Sequence, residues 1–374
     1  MNLFLLSSRS LASSVSWDPV FELENILVRT CNAQLLIPTA SSLVQWSSQF
    51  TPPVTNFFNK FIKRTTGLYK LADFSHQPSN QPNVLLIIAL HGGDLELLSS
   101  IPGWRQSFDV VIAYVFDSWN PEIYSNNVRY LDSLFVALPE VIQPLKKNFG
   151  IPVSLVPFAA DVLAHGSCQL NRPIDLTNFG RIPQQYHQAF FHRFNQPNSE
   201  RIYFNFTPRK VENMPKLPYE KRKDEEDTLL LFHMLRKSKL MLAFDTLYPG
   251  MRQFPFSFVT LRWFYGAATG CAIVGKRPIT PVADELLNWE DSTIELPEDP
   301  RKSVELIEEL LQDTTRLHAI HKRNYIESLA CHDWRHRIQT IFEAVNLPLP
   351  DVLREELSQL KTLHKQYSMM NKNY

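Results

Sequence analysis

Glycine is scarce in this chain, 11 of 374 residues, about 3% where about 7% is usual. Each glycine is therefore a positional signal, spent where the backbone needs it. Cysteine is rarer still: Cys31, Cys168, Cys271 and Cys331 are scattered, with no CxxC and no Cys/His ligand spacing. That pattern disfavours a disulfide framework or a zinc site and suits free thiols in a reducing compartment. Neither sign of charge is in excess, since Lys+Arg and Asp+Glu both number 38. A general nucleic-acid binder is basic overall, so no nucleic-acid partner is expected, while a local basic pocket for a small anion stays compatible. No apolar run approaches the roughly 18 residues of a spanning helix, so no transmembrane segment is expected. The apolar start, MNLFLLSSRSLASS, has no positive charge ahead of it and too short an apolar run for a secretory leader. A cytoplasmic protein is the expectation.

What is present is ordinary globular material, 44% hydrophobic and 20% charged. At about 150 residues per domain the length suggests two domains. Short apolar runs alternate with segments of helical period. In the first half, 33–37 (AQLLI), 84–90 (VLLIIAL), 109–116 (DVVIAYVF), 133–137 (SLFVA) and 153–156 (VSLV) read as strands buried on both faces, as a covered parallel sheet requires. Helices are expected at 19–30, 94–100 and 139–148, the last opening on proline and stopping at Gly150. The second half repeats the pattern, with strands at 174–179, 201–206, 240–244, 271–275 and 293–296. Its helices are expected at 184–194, 226–237, 259–269, 302–312, 314–328 and 333–345. Alternating β and α implies right-handed crossovers and doubly wound sheets. The segment 159–173 reads as the linker and 207–227 as a charged, solvated loop. The expected organisation is an N-terminal domain over 1–165, a second domain over 166–345 and a helical tail over 346–374.

Open α/β sheets bind ligands where strand carboxyl ends feed helix N-termini. After 84–90 comes His91-Gly92-Gly93-Asp94. His91 could orient or deprotonate a hydroxyl there, and adjacent glycines in so glycine-poor a chain mark a tight turn or a close backbone approach. After 109–116 comes Asp117-Ser118-Trp119; a carboxylate beside an indole can hydrogen-bond sugar hydroxyls and stack on a pyranose face, or simply cap a helix. The strongest local signal is FPFSFVTLRWFYGAATGCAIVGKRP over 254–278. There a hydroxyl-bearing loop with Ser257 and Thr260 enters an apolar helix whose N-terminus suits a phosphate. Arg262 in the first turn is unfavourable beside the positive helix end unless an anion is present, and it could fork onto a diphosphate. Gly180-Arg181, after strand 174–179, supplies a second cation on the same edge. GxGxxG, GxxxxGK[ST], HExxH, GxSxG and DxD are all absent, which disfavours dinucleotide oxidoreductases, P-loop ATPases, zincins, elbow serine hydrolases and DxD sugar transferases.

In that order these pieces resemble a GT-B glycosyltransferase of the family-one/family-four kind, particularly its CgeB-like, spore-coat type branch. Three stretches carry the resemblance: FDVVIAYVFDSW…LDSLFVALPEVIQPLKKNFGIPVSLVPFAAD, ending in Pro-x-x-x-Asp at 157–161; FGRIPQQYHQAFF; and TLRWFYGAATGCAIVG…HDWRHRI, with a later His-x-Trp-x-x-Arg at 332–337. The resemblance implies two Rossmann-like doubly wound domains facing across a cleft, acceptor-side first and donor domain second, with no metal and no cofactor beyond a nucleoside-diphosphate sugar as donor substrate. It implies transfer of a hexosyl or related group to the hydroxyl of a glycan or small-molecule acceptor, with retention at the anomeric carbon. On that reading Gly180, Arg181, Ser257, Thr260, Arg262 and Tyr265 bind the donor. His91 and Asp117 serve the acceptor hydroxyl, and Gly92, Gly93, Asp94 and Trp119 hold the acceptor. The sequence departs from the family where a glutamate pair usually grips the donor, since Ser257 and Tyr265 stand there; a hydroxyl and a phenol can hydrogen-bond ribose but supply no carboxylate. A catalytically silent GT-B module that binds a glycan or a partner transferase, or a GT-B sugar-nucleotide epimerase, are the alternative readings. His332 is expected to fix a helix rather than to touch substrate.

Overall fold

The computed structural model describes residues 1–12, 15–40, 69–71, 80–206, 225–251 and 254–371. These form two compact units, one from 1–157 with 338–354, the other from 158–206, 225–337 and 355–371. The loop expected at 207–227 lies outside the described residues up to 224, and 225–227 already belong to a helix.

The first unit runs β1 (Asn2–Leu6), α1 (Asp18–Cys31), β2 (Gln34–Leu36), β3 (Thr39–Ala40), β4 (Tyr69–Lys70), β5 (Asn83–His91), α2 (Trp104–Ser107), β6 (Val110–Asp117), β7 (Ser133–Val136), α3 (Ile142–Phe149) and β8 (Val153–Leu155). Apart from a small antiparallel β3–β4 ladder, the strands form one six-stranded sheet in the order β2-β1-β5-β6-β7-β8. Every pair in it is parallel. The unbroken apolar run of β5 is explained by burial on both faces, since Val84 to Leu90 are at most 6% exposed. Leu23 and Leu27 of α1, with Ile338, Ile341 and Phe342, line one apolar gap with Leu86, Ile88 and Tyr114 of the sheet.

Two expectations change here. The apolar start is strand β1, seated between β2 and β5 with Leu5 paired to both Leu35 and Leu86; its five residues are ample for a strand. The helix expected at 94–100 is a nine-residue 3₁₀ run, Gly92–Ser100. Three residues per turn superimposes Leu95 on Leu98, and both are fully buried.

The second unit runs α4 (Val162–His165), β9 (Ile174–Phe179), α5 (Gln184–Phe194), β10 (Tyr203–Phe206), α6 (Glu225–Arg236), β11 (Ser238–Phe244), α7 (Leu261–Ala268), β12 (Ala272–Lys276), α8 (Pro281–Leu286), β13 (Ile294–Glu295), α9 (Pro300–Gln312) and α10 (Thr314–Cys331). Two last helices, α11 (Trp334–Ala344) and α12 (Asp351–Asn371), are shared between the units. The sheet order is β10-β9-β11-β12-β13, again all parallel. On one face Leu176, Leu242, Phe244 and Val274 form a core with Tyr186 and Phe190 of α5 and Ile307 and Leu310 of α9. Helix α7 lies tight on the sheet, since a Cβ at Gly266 would fall 2.5 Å from Met241 Cε.

The segment expected as a linker at 159–173 is held inside the second unit by side chains rather than by any periodicity. Arg172, 2% exposed, donates to the carbonyl oxygens of Gln169 (2.7 Å), Ser238 (2.9 Å) and Thr269 (2.8 Å). Gly270 closes the same spot with φ +73°, and a Cβ there would meet Ser167 O at 2.4 Å, so only glycine fits. No helix among the described residues is long and apolar enough to cross a membrane.

Candidate functional site

In each unit the strand order reverses once, and the carboxyl ends flanking the reversal are where an open α/β sheet offers a ligand crevice. In the second unit the reversal lies between β9 and β11. Gly180 follows β9 with φ +82° and open space around its Cβ position, so glycine is there for backbone conformation. It turns the chain so that Arg181 follows directly, exposed, with its guanidinium 5.6 Å over the Phe254 ring. Beyond β11, Thr246 Oγ1 donates to Phe256 O at 2.7 Å and so pins the loop 254–260 to the strand tip.

That loop enters α7 at Thr260, two residues later than the sequence suggests. Thr260 is extended (φ −84°, ψ 169°) and its hydroxyl does not cap the helix; the Trp263 N–H is taken by Thr260 O at 3.1 Å, while the positive end of the helix suits another acceptor at the first two helical residues. Arg262 is the second helical residue and half-buried. Its Nη1 donates to the main-chain oxygen of Arg181 at 2.7 Å, and its Nε lies 3.4 Å from Thr260 Oγ1. Burial, and then the neighbouring Arg181 charge, lower its pKa to about 10, which leaves it protonated at neutral pH. Ser257 Oγ is shielded from solvent without a hydrogen-bond partner among the described residues. The structure therefore brings Gly180, Arg181, Ser257, Thr260 and Arg262 to one strand edge. Tyr265 is buried among rings: it is 5% exposed, its ring 4.7 Å from that of Phe232 and 6.3 Å from that of Phe179, the residue before Gly180.

In the first unit the tips of β5 and β6 carry His91 and Asp117, which are register partners. His91 Nδ1 lies 3.9 Å from Asp117 Oδ2, and both side chains are part-exposed, at 42% and 35%. A small rotation would close that gap to a hydrogen bond and orient the ring. Trp119 is half-buried beside them in sequence. The turn residues have local work. Asp94 accepts the His91 backbone N–H at 2.8 Å. The close approach at Gly92 is to Tyr124 of the same chain, whose ring would lie 2.3 Å from an added Cβ.

Two clusters rest on pairings that sequence reading does not give. At the carboxyl end of β1, beside the reversal in the first sheet, Ser7 Oγ and Arg9 Nε each donate to Glu24 Oε2 at 2.8 Å. Glu24 is fully buried, and burial outweighs the pull of Arg9 to raise its pKa to about 7. The signal was Ser-Ser-Arg after an apolar run, legible only once that run is taken as a strand. In the second unit the Pro-x-x-x-Asp and His-x-Trp-x-x-Arg stretches pack on each other. Arg335, 1% exposed, bonds Asp161 at 2.9 Å and Asp333 at 2.8 Å and also meets Glu356. Arg337 donates to Phe158 O at 3.1 Å, and His332 is buried with Nε2 2.8 Å from Leu286 O. Burial lowers the His332 pKa to about 3. These residues clamp the fold.

The profile of a family described as "Glycosyl transferase-like" matches residues 220–343. No curated protein matches the chain. Among solved structures, an apo structure of OtsA superposes with a TM-score of 0.53 at 11% identity, covering 94% of this chain and 100% of that one. An alpha-glucosyltransferase in complex with UDP and a 13-mer DNA gives 0.52 at 10% identity, covering 92% and 100%. Alr3699/HepE of Anabaena, in complex with UDP and glucose, gives 0.50 at 11% identity, covering 92% and 99%. At such identities the likeness is one of fold, and the fold is the GT-B glycosyltransferase fold, two parallel-sheet α/β units.

Proposed function

We propose that this protein is a glycosyltransferase that moves a sugar from a nucleoside-diphosphate sugar to an acceptor hydroxyl. The observation that carries the reading is the arginine pair at the β9/β11 reversal. Arg262 is held against the Arg181 main chain, and its pKa is depressed by burial first and by the Arg181 charge second. Two guanidiniums beside a helix N-terminus form a site whose electrostatic strain a dianion relieves. A diphosphate is that dianion, and in transfer it is also the leaving group on which charge develops. Ser257 and Thr260 offer hydroxyls to the rest of the donor, Gly180 lets the main chain approach it, and the Tyr265 ring forms the floor beneath, its phenol the candidate ribose contact. The match of 220–343 to a glycosyltransferase-like family supports the transferase reading.

His91 and Asp117 serve the acceptor hydroxyl and Trp119 the acceptor's apolar face, in the turn shaped by Gly92, Gly93 and Asp94. The acceptor is a glycan or a small molecule, and membership of the CgeB-like branch rests on the three stretches quoted above. Transfer proceeds with retention: the bond from the anomeric carbon to the diphosphate breaks, the acceptor oxygen bonds that carbon, and its proton leaves on the diphosphate while His91 orients the hydroxyl. The arginine pair takes the charge a metal would otherwise take, so chelation by EDTA leaves turnover unchanged. The test is nucleotide release from UDP-, GDP-, dTDP- and ADP-sugars, with the anomer of the released or transferred sugar read by NMR. Release from one donor, lost in Arg181→Ala, is expected; no release from any donor, with the fold intact, overturns the reading.

A further inference from the structure

We infer that Asn178 is a positioning residue for the proposed anion site, acting through the turn that presents Arg181; the inference rests on the donor-site reading above. Asn178 is the penultimate residue of β9 and fully buried. Alternation along the strand puts it on the same face as Leu176, in the core formed with Tyr186 and Phe190. Packing alone calls for an apolar residue there. Instead the amide Nδ2 donates to Asn205 Oδ1 at 2.8 Å and to Gly180 O at 3.2 Å, and Asn205 is its register partner on β10. Two oxygen acceptors fix the amide's orientation, because the flipped form would set oxygen against oxygen. The Oδ1 is left buried and without a hydrogen-bond partner among the described residues, a standing cost to the fold.

What the amide achieves in return is control of the turn. The two peptide oxygens that flank the β9 exit are held from two sides, Gly180 O by Asn178 and Arg181 O by Arg262 Nη1. Gly180 O belongs to the peptide that joins Gly180, at φ +82°, to Arg181, and Arg181 O to the next one; the Arg181 Cα lies between the two, so the direction in which its side chain leaves the backbone is set by these two hydrogen bonds. Arg262 therefore serves the site twice, as a charge and as a brace, while Asn178 never reaches the ligand.

The test is a double-mutant cycle on binding of inorganic pyrophosphate and of UDP, with hydrogen exchange of the turn as an independent readout. Asn178→Leu keeps the volume and removes the donor. It is expected to weaken both ligands about tenfold in the wild-type background and to leave them unchanged in Arg181→Ala, a coupling that a merely structural role would not show. Backbone amides of 180–183 should exchange faster in Asn178→Leu, with β11 and β12 unaffected. Equal weakening in both backgrounds, or unaltered exchange in the turn, overturns the inference. If neither ligand binds the wild-type protein, the donor-site reading fails, and the exchange of 180–183 still decides whether Asn178 holds the turn. Should Asn178→Leu not fold, Asn205→Ala removes one of the amide's two acceptors at the surface side of the pair, and the same coupling is expected at smaller amplitude; its absence overturns the inference equally.

Discussion

Replacing Arg262 with alanine removes two things at once, a guanidinium at the N-terminal turn of α7 and the 2.7 Å hydrogen bond to the Arg181 main chain. A charge-assisted hydrogen bond is worth about 1.5–3 kcal/mol, or about a 10- to 150-fold change in affinity at 1.4 kcal/mol per decade. Calorimetric titration of pyrophosphate and UDP is the assay, because pyrophosphate isolates the charge from any contact to base or ribose. Arg262→Lys keeps the charge but loses the fork, so it should fall between wild type and alanine. The depressed pKa adds a second axis. Arg262 is protonated below about 10, so anion binding holds through neutral pH and declines as pH rises through that value; a bound dianion moves the decline to higher pH. Unchanged pyrophosphate affinity in a folded Arg262→Ala protein would refute the reasoning.

Other outcomes follow from the same contacts. Asp333→Ala leaves Arg335 without one of its buried partners, and denaturant titration should show a loss of about 3–5 kcal/mol; a loss under 1 kcal/mol would mean the clamp is dispensable. His321 and His332 are buried with pKa values lowered to about 3, chiefly by burial. The unfolded chain takes up their protons below about pH 6.5 and the native state does not, so stability falls between pH 6.5 and 3, by up to about 1.4 kcal/mol per pH unit for each histidine. His332→Gln should flatten that slope in acid unfolding curves. Glu24 acts with the opposite sign: its pKa is raised to about 7, so its protonated form favours the native state, and that contribution is lost as pH rises through 7; Glu24→Gln should make stability less dependent on pH between about 4.5 and 7. Tyr265→Glu would set a carboxylate against Phe232 and Phe179 and should cost several kcal/mol, measurable as a fallen Tm; an unchanged Tm would show the position to be open to solvent.

The sheets were legible because strands buried on both faces leave a mark no helix shares, an apolar run of strand length bounded by turn residues, as in β5, β6 and β11. Gly180-Arg181 and the loop into α7 were legible for a related reason: a lone glycine beside a cation at a strand tip has few other uses in so glycine-poor a chain. Strand β1 was missed because its apolar run, Leu3 to Leu6, is too short to set a strand pattern apart from any other apolar stretch. The α-helix expected at 94–100 failed because leucines at 95 and 98 fit three residues per turn as well as 3.6. No local pattern could reveal the Asp161–Arg335 clamp, whose partners stand 174 residues apart. Nor could one reveal the role of Arg172, which is held by carbonyl oxygens from three separate segments. Tyr265 was read by its position in a family pattern, and only packing reveals that its ring belongs to an aromatic cluster.

The second unit is proposed to hold a nucleoside diphosphate at the β9/β11 reversal. The most direct measurement is a thermal-shift panel of UDP, GDP, dTDP and ADP, each on the wild-type protein and on Arg181→Ala. A ligand that binds only the native state adds about 2.7 kcal/mol at 100 times its dissociation constant, well within reach of the method. One nucleotide is expected to raise the wild-type midpoint, and the rise to disappear in Arg181→Ala. A flat panel, or a rise that survives the loss of Arg181, would contradict this placement.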